Sequence, residues 1–433
     1  MTFATSRFVP RASAAVLAAL MLGAGISSAS AEDVIKWLHL QNNPKILGVW
    51  QDIAKAYEAK HPNVKITFQF LENEAFKAKL PTLLQSNDPP SMFYTWAGGV
   101  LKAQEETGQL RDLTPAMDAD GGAWRNSLSP AAVDAMTFDG KVWAAPTQSG
   151  VVAFFYNKAL FKKAGVDAAS IKTWDDFLAA VKKIKAAGIT PIAVGGGDKW
   201  PVHFYWSYLA MREAGKDGFA AAKNGQNGGF AGDAFIKAGE HLRELGKLDP
   251  FQDGYLGATW NDTLATFDDG RAALILSFEN TATPTQQANN ATDGKGLSED
   301  EIGRFPFPLV TGGKGVITDD FGGINGWAVT KAAPPATEDF LKFLTGVDNE
   351  RLLAQKTGIL PVAKGAQDGV EDPTLRAAAD QMAQETWHQN YLDQDLGPDV
   401  GRVVNDMSVA IVSGQISPSD AVQQIEQTKE MSQ

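Results

Sequence analysis

Cysteine is absent from the whole sequence, which bounds the chemistry open to the chain. Without thiols there are no disulfides, and no cysteine is available to carry a lipid anchor near the N-terminus. A chain of 433 residues does not need such cross-links, because it can bury an adequate hydrophobic core. Its length also exceeds what one core usually supports, so we expect two domains.

Histidine and tyrosine are scarce, which argues against a bound metal. The histidines show no His-x-x-x-His or related spacing, so we expect neither a metal site nor another cofactor. An iron receptor would need clusters of tyrosine and histidine, and the chain has only 7 tyrosines. The five histidines are His39, His61, His203, His241 and His388.

Common catalytic patterns are missing as well. There is no Gly-x-Ser-x-Gly elbow, and the glycines at 195–197 are not followed by the Gly-Lys-Ser/Thr ending of a phosphate loop. Glycoside hydrolysis needs two carboxyl groups at a set separation, and no motif supplies that geometry. We therefore expect a protein that is not an enzyme. The alternative is a secreted glycoside hydrolase or lyase, in which Glu72 and Glu279 would face each other across a cleft.

Negative charge dominates the composition. The chain carries 51 acidic against 39 basic residues, a formal net charge of -12, and the basic residues form no cluster. Such a surface repels nucleic acid and anionic membranes, so we expect no nucleic-acid partner. Phosphorylated or polyanionic ligands are disfavoured for the same reason.

Residues 1–31 are expected to be a cleaved signal peptide. Arg7 and Arg11 form a basic start, an apolar run covers 14–26, and Ala29-Ser30-Ala31 matches the cleavage pattern. The apolar run is too short to span a bilayer, and no second long one follows. Together with the missing cysteine, this predicts a soluble periplasmic protein that is cleaved after Ala31 and is not a lipoprotein. A retained signal anchor is the alternative.

The mature part begins with alternating strand and helix patterns. Strands are predicted near 34–38, 64–68 and 91–94, with helices at 46–57 and 72–84 between them. This order is typical of an α/β fold with parallel strands, and ligands of such sheets lie beyond the carboxyl ends of the strands. The segments at those ends contain His39, Gln41, Glu72, Asn73 and Trp96.

The segment 156–200, YNKALFKKAGVDAASIKTWDDFLAAVKKIKAAGITPIAVGGGDKW, is the most specific part of the sequence. It combines a Tyr-Asn-Lys strand end, a Lys-Ala-Gly turn, a Thr-Trp-Asp helix start and a Gly-x-Thr-Pro strand entry. With ATFDDGRAALILSFEN (265–280) and ISPSDAVQQIEQ (416–427), it resembles the extracellular solute-binding proteins of carbohydrate ABC transporters, the family that includes maltose- and raffinose-type receptors. The resemblance covers essentially the whole mature chain.

This resemblance implies the fold and the partners. The expected fold is the two-lobed α/β fold of periplasmic binding proteins, type II and maltose-binding-protein-like, with a ligand cleft between the lobes. The first lobe would comprise 32–145 plus 280–327, and the second 146–279 plus 328–433. A monomer would bind an oligosaccharide, close around it, and present it to the permease subunits of an ABC transporter in the inner membrane.

A sugar site needs aromatic surfaces for the apolar C–H faces of the rings, and polar groups for the hydroxyls. Trp96 and Trp200 follow strand ends and are candidate stacking platforms, and Trp260 is a third. In the resembling family a C-terminal segment like 387–395 contributes to the sugar site, which suggests Tyr391 and Asp393. The remaining polar and backbone candidates are His39, Gln41, Glu72, Asn73, Gln148, Glu279, Asn280, Gly323 and Asn325.

The identity of the ligand stays open at this point. The raffinose-type resemblance favours α-galactosides, followed by xylo- or gluco-oligosaccharides. The chain departs from the family at Phe278-Glu279-Asn280, where many members have Gly-x-Trp, so a stacking residue there is in doubt. Polyamines are the competing ligand class, because an acidic and aromatic cleft also suits cations.

Overall fold

The computed structural model describes residues 32–383 and 386–432. The expected signal peptide, residues 1–31, therefore lies outside the described residues. Within the described part, no helix combines the length and the apolar composition that crossing a bilayer requires.

Strands and helices alternate along most of the chain. The strands are β1 Asp33–His39, β2 Val64–Phe70, β3 Met92–Trp96, β4 Thr137–Phe138, β5 Lys141–Val142, β6 Ala144–Asn157, β7 Thr190–Ala193, β8 Ala272–Phe278, β9 Ile302–Phe305, β10 Asp319–Val329 and β11 Trp387–Asn390. The helices are α1 Pro44–Lys60, α2 Asn73–Leu84, α3 Gly99–Glu106, α4 Thr114–Ser127, α5 Pro130–Ala135, α6 Lys158–Lys163, α7 Trp174–Ala186, α8 Trp200–Lys223, α9 Asp233–Lys247, α10 Trp260–Asp268, α11 Pro284–Asn290, α12 Ala336–Leu344, α13 Val347–Thr357, α14 Pro373–Ala383, α15 Leu392–Asp395, α16 Pro398–Val412 and α17 Pro418–Met431.

Most strands belong to one continuous mixed sheet with the order β2-β1-β3-β10-β6-β8-β7. The pairs β1–β2 and β1–β3 are parallel, as the strand–helix order predicts. β10 is antiparallel to both β3 and β6, and β6 is antiparallel to β8 and β9. β11 extends the sheet beside the start of β10.

Two long strands divide this sheet into two lobes. β6 pairs with β10 through residues 144–151 and then with β8 through 152–156. The first lobe is built around β1, β2 and β3, and the second lobe around β7, β8 and β9. α1, α12 and α13 pack together on the first lobe, whereas α8, α9, α16 and α17 pack together on the second. The carboxyl ends of the strands of both lobes therefore face the gap between them.

Local sequence accounts for several helix starts. The Thr173 side chain accepts the Asp176 N–H at the start of α7, and the Asp176 carboxylate accepts the Thr173 N–H, which is the predicted capping box. Thr259 and Asp262 form a second capping box at the start of α10. Such caps satisfy backbone donors that a helix cannot pair internally. They fix where α10 begins, and this matters for the cleft.

Candidate functional site

A cavity of about 470 Å³ lies between the lobes. The loops after β1, β2 and β3 contribute to it from the first lobe, and the segments after β7 and β8 contribute from the second. The crossing strands β6 and β10 form its floor through Gln148 and Asn325, which pair with each other in register. The segment that leads from β11 into α15 closes it with Tyr391 and Asp393.

The first-lobe wall is centred on Trp96, at the end of β3. Its ring meets the Tyr94 ring edge-on at 5.2 Å between centroids, and the Phe76 ring supports it at 5.9 Å. The Lys77 ammonium lies 5.6 Å from the Trp96 ring centroid. Beside this ring, Glu72 caps α2 by accepting the Glu74 N–H at 2.9 Å. The first-lobe wall thus combines an indole face with charged groups.

The second-lobe wall is a cluster of aromatic rings. The Trp200 centroid lies 4.8 Å from that of Trp260, 5.9 Å from that of Phe278 and 5.3 Å from that of Phe204. The Tyr391 ring continues the cluster, stacked on Phe204 at 5.8 Å. All five residues line the cavity. The two lobes therefore face each other with aromatic surfaces.

The triple glycine after β7 has a packing role. A Cβ on Gly195 would lie 2.8 Å from the Thr263 hydroxyl, and Cβ atoms on the next two glycines would lie 2.8 Å from backbone carbonyls of residues 255 and 258. Glycine is required at these positions because the loop packs directly on the start of α10. This contact brings the Asp198 carboxylate to the Trp260 N–H at 2.6 Å.

Asp198 lies in a crowded acidic environment. Burial raises the pKa of its carboxyl group, and the negative charges of Glu72 and Asp262 raise it further. The Trp260 N–H and the ammonium of Lys77 act in the opposite direction. Glu72 belongs to the first lobe and Asp198 to the second, so the negative charge of Glu72 raises the pKa of Asp198 from across the cleft.

Asp393 is held by hydrogen bonds from two neighbouring side-chain amides. Its Oδ2 accepts the side-chain amides of Gln394 and Asn405, each at 3.0 Å. Its Oδ1 faces the Nε2 of His203 at 3.5 Å. His203 Nδ1 lies 2.6 Å from the Trp200 carbonyl, which can only accept, so Nδ1 carries the proton. Burial lowers the pKa of His203, which favours the neutral ring.

The lobes also touch directly at the rim of the cleft. Asn42, after β1, donates through its side-chain amide to the Asn261 side-chain oxygen at 3.3 Å. Asn43 donates in the same way to the Thr285 carbonyl at 3.5 Å. These contacts join the first-lobe loop to segments beyond the second-lobe strands, so the described conformation holds the lobes close together.

Most of the predicted site residues meet in this cavity. Eleven of the fourteen line it, and their contact with a ligand stays a prediction. They are Gln41, Glu72, Asn73, Trp96, Gln148, Trp200, Trp260, Asn280, Asn325, Tyr391 and Asp393.

The other three, His39, Glu279 and Gly323, do not line the cavity. His39 is the last residue of β1 and points into the first lobe, where burial lowers the pKa of its ring to about 4. Glu279 turns under the floor and accepts the Val151 N–H at 3.2 Å. Gly323 lies beneath the Tyr391 ring, which would collide with any Cβ at that position. These residues support the cleft from behind.

Several lining residues were missed by reasoning from the sequence. Asp198 is one of them, although its position in the same strand-end loop as Trp200 indicates the cleft. Phe278 lines the cavity with an aromatic ring at the end of β8. The other missed polar and aromatic positions include Asn42, Lys77, Tyr94, Thr147, Phe204, Thr259, Asn261 and Asn290. The part of the chain that the structure describes contains no group of three or more His, Asp or Glu residues placed to hold a metal ion.

Known proteins resemble the chain over most of its length. It is 27% identical over 334 residues to an uncharacterized ABC transporter extracellular-binding protein of Pyrococcus horikoshii, covering 75% of this chain and 70% of that protein. It is 26% identical over 416 residues to a diacetylchitobiose binding protein of Streptomyces coelicolor, covering 93% and 90%.

A solved structure agrees with the fold. A chain from work on xylan utilization by the thermophilic bacterium Caldanaerobius polysaccharolyticus superposes with a TM-score of 0.81 at 26% identity, covering 91% of this chain and 99% of that one. This likeness and the sheet topology confirm the predicted two-lobed, maltose-binding-protein-like α/β fold. The sequence model of the bacterial extracellular solute-binding proteins matches residues 43–351, and the chain therefore belongs to that family.

Proposed function

We propose that the chain binds an oligosaccharide in the cleft and delivers it to the permease of an ABC importer. The observation that carries this proposal is the pair of aromatic walls on opposite lobes, centred on Trp96 and on Trp200. Pyranose rings have flat C–H faces, and hiding about 50 Å² of such surface on an indole contributes about 1 kcal/mol. A sugar held by both walls gains this contribution more than once.

Polar groups around the walls suit the hydroxyls of the sugar. Glu72, Asp198 and Asp393 offer carboxylate oxygens, and Gln148 and Asn325 offer amides at the floor. A ligand that reaches both lobes binds the closed arrangement better than the open one, and this difference in affinity drives closure. The closed form then signals loading to the permease.

The choice of sugar is an open part of the proposal. Raffinose-type α-galactosides follow from the sequence resemblance. Of the similar proteins described above, one is named for diacetylchitobiose and one comes from work on xylan, which supports N-acetylglucosamine and xylose oligosaccharides as further candidates. We therefore propose oligosaccharide binding as the function and treat these three classes as arms of one test.

The remaining expectations belong to the same proposal. The protein acts as a monomer in the periplasm after cleavage behind Ala31, without a lipid anchor and without catalytic activity. The lobes divide near 145, 279 and 327, but the packing of α12 and α13 on α1 favours placing 336–357 in the first lobe, and the pairing of β9 with β6 favours placing 302–305 in the second. Membership of a solute-binding family supports transport over catalysis.

A thermal-shift panel tests the function directly. Raffinose, xylotriose and diacetylchitobiose are the sugar probes, and spermidine tests the polyamine alternative. At roughly 100 times its dissociation constant, a ligand adds about 2.7 kcal/mol of stability, which a melting curve resolves. A shift with spermidine and with none of the sugars would replace the proposal by polyamine binding. Cleavage products after long incubation with these sugars would instead indicate an enzyme.

A further inference from the structure

Three carboxylates reach the cavity from three different elements. Glu72 precedes α2 on the first lobe, Asp198 follows β7 on the second, and Asp393 belongs to α15. Lys77 is the one lysine or arginine among the described residues that line the cavity. Its ammonium lies 3.1 Å from the Glu74 carboxylate, so its charge is largely offset by a neighbour. The cavity wall is therefore strongly negative.

Each of these carboxylates uses only one oxygen within the described protein. Glu72 accepts the Glu74 N–H at Oε2, and Asp198 accepts the Trp260 N–H at Oδ2. Asp393 accepts both of its amide donors at Oδ2. The second oxygens of Glu72 and Asp198 receive no hydrogen bond from the described residues and can accept one from a ligand, whereas Asp393 Oδ1 faces the buried His203 ring.

One further acceptor in the lining is buried without a donor. Asn325 lies at the floor and is 5% exposed, and its Oδ1 has no hydrogen-bond partner among the described residues. Leaving a buried acceptor unpaired is costly, so this position favours a ligand that brings a donor. This observation is independent of the carboxylates and points to the same ligand chemistry.

We infer that the cleft selects sugars that are neutral or carry an amine, and rejects sugars of the same skeleton that carry a carboxylate, sulfate or phosphate. The inference rests on the proposed function and narrows its ligand class. Hydroxyl and ammonium groups of the ligand donate to the free oxygens of Glu72 and Asp198 and to Asn325 Oδ1. An anionic substituent offers only acceptors to these protein acceptors, so no hydrogen bond forms. It also adds a negative charge to a partly desolvated cleft that is already negative.

The expected binding of amino sugars follows from the same geometry. Glu72 and Asp198 approach the cleft from opposite lobes, and their charges disfavour each other. An ammonium group between them removes this repulsion as the lobes close. An amino sugar should therefore bind at least as tightly as its N-acetylated or hydroxyl counterpart.

Titration calorimetry with matched ligands tests the charge selection. The probes are cellobiose with cellobiouronic acid, raffinose with its C6-carboxylate, and diacetylchitobiose with its deacetylated diamine. For whichever neutral sugar binds, the dissociation constant of the matched acidic sugar should be at least tenfold higher, which equals about 1.4 kcal/mol of binding free energy. Added salt should narrow this gap, because salt screens charges.

Asp198→Asn keeps the shape of the side chain and removes one charge from the cleft. This substitution should reduce the ratio of the dissociation constants of the acidic and the neutral sugar at least threefold. Asp217→Asn is the matched control, since Asp217 is exposed on α8 and outside the cavity. The control should leave the gap unchanged, and melting curves establish that both variants are folded.

The outcomes separate this inference from the function beneath it. An acid that binds within threefold of its neutral counterpart overturns the charge selection and leaves sugar binding intact. If Asp198→Asn and Asp217→Asn reduce this ratio equally, the preference for neutral sugars comes from the overall net charge. That result would also overturn selection by the cleft. If no sugar of any charge binds, the proposed function falls and the inference falls with it.

Discussion

Replacing Glu279 with glutamine removes a carboxyl group that lies buried where β6 and β10 cross. The side chain is 1% exposed, and its Oε1 has no hydrogen-bond partner among the described residues. Burial raises the pKa of Glu279 from its ordinary 4.5 to about 7, and the Val151 N–H and the charge of Arg304 offset this only in part. At 1.36 kcal/mol per pH unit, the difference amounts to about 3 kcal/mol of stability.

The sign of this contribution follows from proton binding. Between pH 4.5 and about 7 the unfolded chain releases the Glu279 proton while the folded chain keeps it. The stabilising contribution is therefore complete below pH 4.5 and is lost as the pH rises to about 7. The glutamine of Glu279→Gln does not titrate. The free energy of unfolding of the variant, relative to that of the wild type, should therefore increase by about 3 kcal/mol from pH 4.5 to pH 8.

Urea unfolding followed by tryptophan fluorescence, at pH 4.5 and at pH 8, measures this change. Glu371→Gln serves as control, because it removes one negative charge from an exposed position. The prediction concerns the change in the difference between variant and wild type, so contributions of other titrating groups cancel. If that difference is the same at both pH values, as expected for the control, the carboxyl of Glu279 is not held protonated and the reasoning fails.

Two further predictions concern the cleft. Trp200→Ala should weaken sugar binding about tenfold in calorimetry, since it removes the centre of the second-lobe wall, whereas Trp143→Ala, outside the cavity, should leave affinity unchanged. Gly323→Ala forces the Tyr391 ring to move and should cost about 1–3 kcal/mol of stability in urea unfolding as well as affinity. Gly48→Ala is the control, because Gly48 lies in α1 with open space around it, and it should raise the free energy of unfolding by about 0.5–1 kcal/mol. If the two substitutions change the free energy of unfolding equally, the argument for Gly323 fails.

Local patterns predict the first strands of the chain and several helix starts well. The strands β1, β2 and β3, the start of α7 and most of the cleft loops follow from alternation, helical spacing and capping residues. Two of the errors, His39 and Glu279, lie at strand ends, where alternation decides which side of the sheet a side chain faces. β1 was expected to end at residue 38, but it includes His39, and one more residue of strand turns that side chain to the buried face. At the end of β8 the same alternation sends Phe278 to the cleft and Glu279 under it.

Other features could not be predicted from local patterns. β6 contains Pro146 and Gly150, which normally interrupt strands, and it stays continuous because β10 pairs with it from more than 170 residues away. The acidic character of the cleft also depends on tertiary structure. Glu72 and Asp198 are 126 positions apart, and only the folding of two lobes brings their charges together.

The central position of β10 bears on the order in which the protein assembles. β10 enters between β3 and β6, so each lobe lacks a neighbour for one strand until residues 319–329 are available. A chain that ends before this segment would leave both strands with unpaired backbone groups along one side, a surface prone to aggregation. Non-local pairing of this kind is slow, because a long loop must close before it is stabilised. The two lobes should therefore become native together, late, in a single step that β10 completes.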